Sequence, residues 1–303
     1  MGIKCSYCKS QAVYVDTNQR KCCKKHFLSN FEKKVKSTIK KYKLLDKEDR
    51  IAVACSGGKD STSVLHILNK LYKDVEVIAI DEGIKGYREK TLEDLKRFCK
   101  KQGIKLNIYS FRKEFGFDLD KIKKKRNICM PCGVLRRYLL NQKANGFDKL
   151  VTGHNLDDES QNILMNIYKT NVESLIRLGP ISGITRVPGF VPRVKPLYFC
   201  AEKESLIYSL LMKFDIRYCE CPYAKYSFRA NVRDLLNKYE CRNPGSKHSL
   251  VENFLLILPK IKKQSTKRIS YLGFCNVCDE PSMDKVCNAC SLIKRIKNNK
   301  FLY

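Results

Sequence analysis

The segment Ser56-Gly57-Gly58-Lys59-Asp60-Ser61 carries the residue types of an anion cradle. Glycines let the backbone come close, successive N–H groups can converge on a phosphate, and a helix opening there adds partial positive charge. Lys59 adds a cation and Ser61 a hydroxyl donor. The spacing differs from the P-loop of ATPases, which needs four residues between its glycines and then Gly-Lys-Ser/Thr. The plainer alternative is a glycine turn in which Asp60 and Ser61 cap a helix.

Cysteines are the second chemical resource, sixteen of them in 303 residues. Met1 is not followed by a charged-then-apolar signal segment, so metal binding or redox chemistry is expected rather than a disulfide framework. Four pairs are spaced C-x-x-C: Cys5/Cys8, Cys129/Cys132, Cys275/Cys278 and Cys287/Cys290. Cys5 and Cys8, a short hairpin over 12–21, and then Cys23 and His26 give four soft ligands at structural-zinc spacing. Cys22 is an alternative to Cys23. Cys275, Cys278, Cys287 and Cys290 have the spacing of a compact zinc knuckle. Cys129 and Cys132 lie between the basic run KKKRN (123–127) and a helix, a setting expected to favour thiolates.

These residues need elements to hold them. A small N-terminal zinc unit spans 1–27, followed by a lysine-rich connecting helix over 28–45 in a linker that runs to 48. From 49 to 268 strand and helix alternate. Strands are expected at 51–56, 75–81, 104–111 and 149–154, with DIRYCE (215–220) as a fifth. Helices are expected at 60–73, 88–103, 156–169, 228–240 and 248–263. This order predicts an α/β fold, a parallel sheet covered by helices on both faces, with ligands at the carboxyl ends of its strands where strand order reverses. The proline-rich stretch 179–199 reads as a loop near the sheet edge, and 269–303 as the C-terminal zinc unit with a basic tail.

The charge balance narrows the partners. Sixty Lys and Arg against 31 Asp and Glu leave a net +29, which points to a polyanion: nucleic acid first, an anionic membrane surface second. No apolar run approaches the roughly 18 residues of a membrane span. With 43% hydrophobic residues, disorder throughout is excluded.

SGGKDS at a strand end resembles the pyrophosphate loop of the PP-loop ATPases, which cleave ATP to AMP and pyrophosphate while adenylating a substrate. Gly153-His154-Asn155-Leu156-Asp157-Asp158-Glu159 is similar to the GHNxDD motif of PP-loop enzymes that put sulfur into tRNA. Together with the zinc units, IDEGIKGYR (80–88) and NPGSKHS (243–249), the chain from Cys5 to Cys290 resembles the TtuA/NcsA-type tRNA 2-thiouridine synthetases, archaeal members in particular. The resemblance implies a PP-loop (adenine nucleotide alpha hydrolase-like) fold. It implies ATP and Mg2+ held by Ala54, Cys55, Ser56, Gly57, Gly58, Lys59, Asp60, Ser61, Arg136, Gly153 and Asp158, with Arg137 as the neighbouring alternative to Arg136.

Asp60 and Asp158 would position magnesium or handle a proton, or else serve as helix caps. The family pattern adds a third cysteine in a Cys-Pro step, matched by Cys221-Pro222, with Cys219 the weaker candidate. By resemblance Cys129, Cys132 and Cys221 ligate a [4Fe-4S] cluster whose remaining iron can bind sulfur. A third zinc site or a dithiol relay are the alternatives. The six other cysteines (Cys22, Cys55, Cys99, Cys200, Cys219, Cys241) read as bystanders.

The implied activity is ATP-dependent: adenylation of the C2 oxygen of a tRNA uridine and its replacement by sulfur. Cofactors would be ATP, Mg2+, the cluster and two Zn2+. The partners are tRNA and a sulfur donor, either a ubiquitin-like thiocarboxylate carrier or sulfide, in a cytoplasmic setting without a membrane. Relatives are commonly homodimeric. The rivals are a tRNA 2-thiocytidine synthetase-like enzyme and a non-catalytic zinc-containing tRNA-binding subunit. An intact SGGKDS speaks against the second, since a scaffold needs no pyrophosphate cradle.

Overall fold

The computed structural model describes residues 2–122, 128–182, 190–265 and 273–298. The basic run 123–127, part of the proline-rich stretch and the end of the basic tail lie outside them.

The chain opens with the hairpin β1 (Tyr14–Val15) and β2 (Lys21–Cys22), then α1 (Lys24–Tyr42). The central sheet contains β3 (Ile51–Ala54), β4 (Val75–Asp81), β5 (Leu106–Ser110), β6 (Lys149–Thr152), β7 (Ile181–Ser182) and β8 (Arg193–Val194). Between them run α2 (Lys59–Leu71), α3 (Arg88–Gln102), α4 (Phe111–Phe115), α5 (Cys129–Lys143), α6 (Leu156–Tyr168) and α7 (Val172–Leu175). There follow α8 (Glu202–Leu211), α9 (Phe228–Arg242) and α10 (Ser246–Ser265), then the hairpin β9 (Gly273–Phe274) and β10 (Pro281–Ser282), and α11 (Asn288–Lys297).

The strand order is β5-β4-β3-β6-β8-β7, parallel except for β7. Alternation along the strands builds two cores. Ile51 and Val53 of β3 and Val77 of β4 face α1, α2, α3 and α8, whereas Ala52 and Ile78 face α4, α5 and α11. A third cluster joins α6 to α10 through Ile163, Val251 and Phe254. Both faces are covered, as parallel strands require.

Two expectations need correction. Residues 215–220 form no strand; Arg217 N–H donates to Asp94 Oδ2 at 2.7 Å, so the segment lies along α3. The place beside β6 is taken by β8, from within the stretch expected to be loop. Nor is the lysine-rich helix a mere connector. Phe27, Phe31, Val35 and Ile39, four residues apart, form one buried stripe against the sheet-side core, while its lysines face outward. Among the described residues no helix is long and apolar enough to cross a membrane.

Candidate active site and metal centres

Strand order reverses between β3 and β6, and the two signature segments emerge there, from adjacent strand ends. Two glycines make the approach possible. Gly57 adopts φ +80°, and a Cβ there would lie 2.3 Å from the Thr91 carbonyl oxygen of α3. At Gly153 a Cβ would stand 2.7 Å from the Ser61 nitrogen, so only hydrogen allows the end of β6 to touch the first turn of α2.

The cradle is internally braced. Ser56 N–H donates to Ser61 Oγ at 3.2 Å, and Ser61 Oγ donates to the Gly58 carbonyl at 3.1 Å. The N-cap of α2, Gly58, offers no side-chain oxygen, so the N–H groups of that turn stay open to an anion. Lys59 Nζ is held by Asp60 at 2.9 Å and by Glu202 at 2.8 Å.

Asn155 couples the two carboxylates. Its Nδ2 donates to Asp60 Oδ1 at 3.0 Å, and its Oδ1 accepts from Asp158 N–H at 3.0 Å in a capping box that opens α6. Asp158 therefore does cap a helix. It also keeps a free edge that meets Arg229 at 3.3 Å. Burial pushes its carboxyl up to about 6, with Arg229 opposing and Asp60 reinforcing the rise. Two carboxylates that crowd each other beside a phosphate cradle fit a magnesium ion. Cys55 turns its side chain into the core, leaving its backbone to the cradle.

Cys129 and Cys132 occupy the first turn of α5, three residues apart on one face. The Cys129 thiol donates to the Tyr223 carbonyl at 3.6 Å, which brings the Cys221-Pro222 turn alongside. Tyr223 OH donates to Asp120 at 2.7 Å and fixes that turn. Cys219 is exposed, while Cys132 and Cys221 are half-buried against the same core.

The expectation of thiolates needs correction. Burial pushes Cys132 up to about 12 and raises Cys129, outweighing the nearby Arg136 charge, and it raises Cys221 against the backbone N–H groups of Tyr223 and Ala224. Without a metal these are thiols; ligation would supply the charge that deprotonates them. The Arg136 guanidinium lies 3.7 Å from Glu82, and that of Arg137 stands against Gly133, beside Cys132. Glu82 also pairs with Arg88 at 2.9 Å, and Arg88 Nη1 donates to the Ser56 carbonyl at 2.6 Å. Arg136, on the same helix as Cys129 and Cys132, is thus linked to the cradle through Glu82 and Arg88.

The terminal groups have another geometry. Cys5, Cys8, Cys23 and His26 lie within 4.8 Å of one another, as do Cys275, Cys278, Cys287 and Cys290. Contacts such as Cys8–Cys23 at 3.6 Å and Cys278–Cys287 at 3.8 Å match the roughly 3.5–3.8 Å edge of a tetrahedron about one zinc ion. Cys23 is the third ligand atom, because Cys22 at the end of β2 points into the core and accepts from Asn30. Cys129, Cys132 and Cys221 do not all draw in to 4.8 Å.

The PP-loop domain family matches residues 27–237. The tRNA-5-methyluridine(54) 2-sulfurtransferase of Pyrococcus horikoshii is 38% identical over 95% of this chain and 93% of its own length. This chain belongs to the PP-loop tRNA thiolase family. The cytoplasmic tRNA 2-thiolation protein 1 of Candida glabrata is 35% identical, over 93% of this chain and 83% of its own. Among solved structures, the U34-tRNA thiolase NcsA from Methanococcus maripaludis with its [4Fe-4S] cluster superposes with a TM-score of 0.82 at 31% identity, covering 98% of this chain and 97% of that one.

Several residues of this thiolase site escape a reading of the sequence. Arg88 ends the IDEGIKGYR segment, but nothing in the segment itself tells that its guanidinium brackets Ser56 and Glu82. Glu202 and Arg229 come from helices far along the chain and carry no local motif. Asn155 alone was open to inference, as a cap residue before an acidic first turn.

Proposed function

We propose that the protein is an ATP-dependent tRNA uridine 2-sulfurtransferase of the cytoplasm. What carries this reading is the link between a phosphate cradle and the helix that bears Cys129 and Cys132, through Arg136, Glu82 and Arg88.

A carbonyl oxygen is a poor leaving group, so the C2 oxygen of uridine must first be activated. Open N–H groups of α2 and Lys59 would hold the β- and γ-phosphates of ATP, and Asp60 and Asp158 a magnesium ion. Attack of the uridine oxygen on the α-phosphorus joins AMP to that oxygen and releases pyrophosphate. Sulfur at the sulfide level then bonds to C2, and AMP leaves with the original oxygen; the source is sulfide itself, or a thiocarboxylate carrier whose acyl–sulfur bond water cleaves to leave a carboxylate. No redox partner is required. Cys129, Cys132 and Cys221 would hold the cluster, which would supply a place for sulfur to bind.

The two terminal quartets hold structural zinc, and the lysine-rich faces meet tRNA phosphates, an attraction that weakens steeply with salt. A uridine inside folded tRNA has to be turned out before its C2 can be reached.

The test is nucleoside mass spectrometry on tRNA incubated with anaerobically reconstituted protein, ATP, Mg2+ and sulfide. Thiolated uridine and pyrophosphate are expected only when ATP is present. Cys129→Ala and Cys221→Ala should abolish thiolation and leave ATP and tRNA binding intact; retained thiolation would reject the trio's role.

A further inference from the structure

Among the buried cations that the mechanism leaves without a role is a lysine close to the cradle. Lys247, in the NPGSKHS segment at the start of α10, is 7% exposed. Its ammonium donates to Asp157 Oδ1 and to Asn237 Oδ1 of α9. Asp157 stands beside Asp158, yet it faces away from the cradle, and its second oxygen accepts the Glu202 N–H at 2.7 Å. That bond has a particular purpose. Ala201, the N-cap of α8, has no side-chain acceptor, so Asp157 caps α8 from another helix. Glu204 completes the cap by accepting the Ala201 N–H at 2.8 Å. The first residue of the helix so fixed is Glu202, whose carboxylate grips Lys59.

We propose that Lys247 and Asp157 are positioning residues for the cradle lysine: they lock the start of α8, and through Glu202 they hold Lys59 where a pyrophosphate group meets it. This rests on the reading of Lys59 as a phosphate ligand. The physical need is clear. Asp60 is the other anchor of Lys59, and it must turn toward magnesium when the nucleotide arrives. A long flexible side chain left with no second anchor would have to be ordered by ATP itself, at about 1 kcal/mol or more per immobilised side chain. A buried ion pair is a poor source of net stability but a costly one to half-remove, so its worth here lies in placement.

The sign of one substitution separates this from simple electrostatics. Glu202 is a negative charge next to an anion site, so if it only opposed ATP, Glu202→Gln would tighten binding. Positioning predicts the reverse: ATP affinity, measured calorimetrically on the full chain with Mg2+, falls about tenfold, with an unchanged melting temperature. Lys247→Met should weaken ATP binding to a similar degree and raise the KM for ATP more than it lowers kcat. Lys247→Arg, which can still reach Asp157, should recover most of the affinity.

Unchanged or tighter ATP binding by Glu202→Gln overturns the proposal. So does a Lys247→Met protein that melts earlier while its folded fraction binds ATP normally, since that is a purely structural role. If the wild type binds ATP yet never thiolates tRNA, the proposed activity fails, while the affinities still decide the placement of Lys59.

Discussion

The terminal cysteine quartets and the central trio use the same side chain for opposite ends. In the quartets four ligand atoms close on one point, and backbone N–H groups, such as those of Cys287 and Val277 on Cys275 Sγ, support the sulfur. Their positions are local: each pairs a short hairpin with the first turn of a helix, α1 or α11. The trio draws on two segments 89 residues apart and sits where burial raises the pKa of its thiols. A closed shell with local support stabilises; an open one assembled by the tertiary fold leaves a coordination position for chemistry.

The largest effect should come from breaking each kind of site in turn. Cys132→Ser is expected to cut thiolation by more than about a thousandfold with no change in melting temperature. Cys278→Ser should instead melt the C-terminal unit, since structural zinc contributes roughly 10 kcal/mol of binding energy to such folds. Thermal melts and thiolation assays on both variants check this; equal loss of stability in the two would erase the distinction.

Next in size is Gly153→Ala. Its Cβ would press on Ser61 at 2.7 Å, so overpacking of about 1–3 kcal/mol is expected, and ATP affinity should fall because α2 is pushed from β6. Iron content of the reconstituted protein should stay unchanged, as Cys129 and Cys132 lie on α5 and Cys221 in a turn, away from the contact between β6 and α2. A loss of iron equal to that of Cys132→Ser would show that cradle and trio fold as one.

The smallest effect concerns the sheet face that α1 covers. His66 on α2 is buried among Phe98, Tyr208 and Phe214 with neither ring nitrogen hydrogen-bonded. Burial lowers it from 6.5 to about 4, with Lys70 adding to the shift and Glu32 opposing it. As pH falls below 6.5 the unfolded chain takes up a proton that the folded one refuses, so stability is lost between about 6.5 and 4. His66→Leu should flatten that part of a stability-against-pH curve measured by denaturant unfolding; an unchanged slope would place the acid sensitivity elsewhere.

What the sequence disclosed followed from the range of each interaction. SGGKDS, GHNLDDE and both quartets are local, since the glycines, caps and ligand spacings act within a few residues, and each stands where the strand–helix alternation puts it. The ambiguity between Cys22 and Cys23 is settled by strand alternation, which turns Cys22 inward. DIRYCE alternates polar and apolar residues as a strand would, but strand pairing is a tertiary contact that alternation alone does not supply, and only Ile216 of the segment is buried. The thiolate expectation gave weight to nearby charge and could not count desolvation. Glu202 is 143 residues from Lys59, and Lys247 is 90 from Asp157; contacts of that reach leave no pattern in the chain.

The most direct measurement follows one atom. tRNA whose target uridine carries a heavy oxygen isotope at C2 would be incubated with the reconstituted protein, ATP, Mg2+ and sulfide, and the products weighed. If the cradle activates that oxygen and the trio brings sulfur to the same carbon, the label appears in the phosphate of AMP, one labelled AMP for each thiolated uridine. Label released to water, or thiolation that outruns labelled AMP, would contradict it.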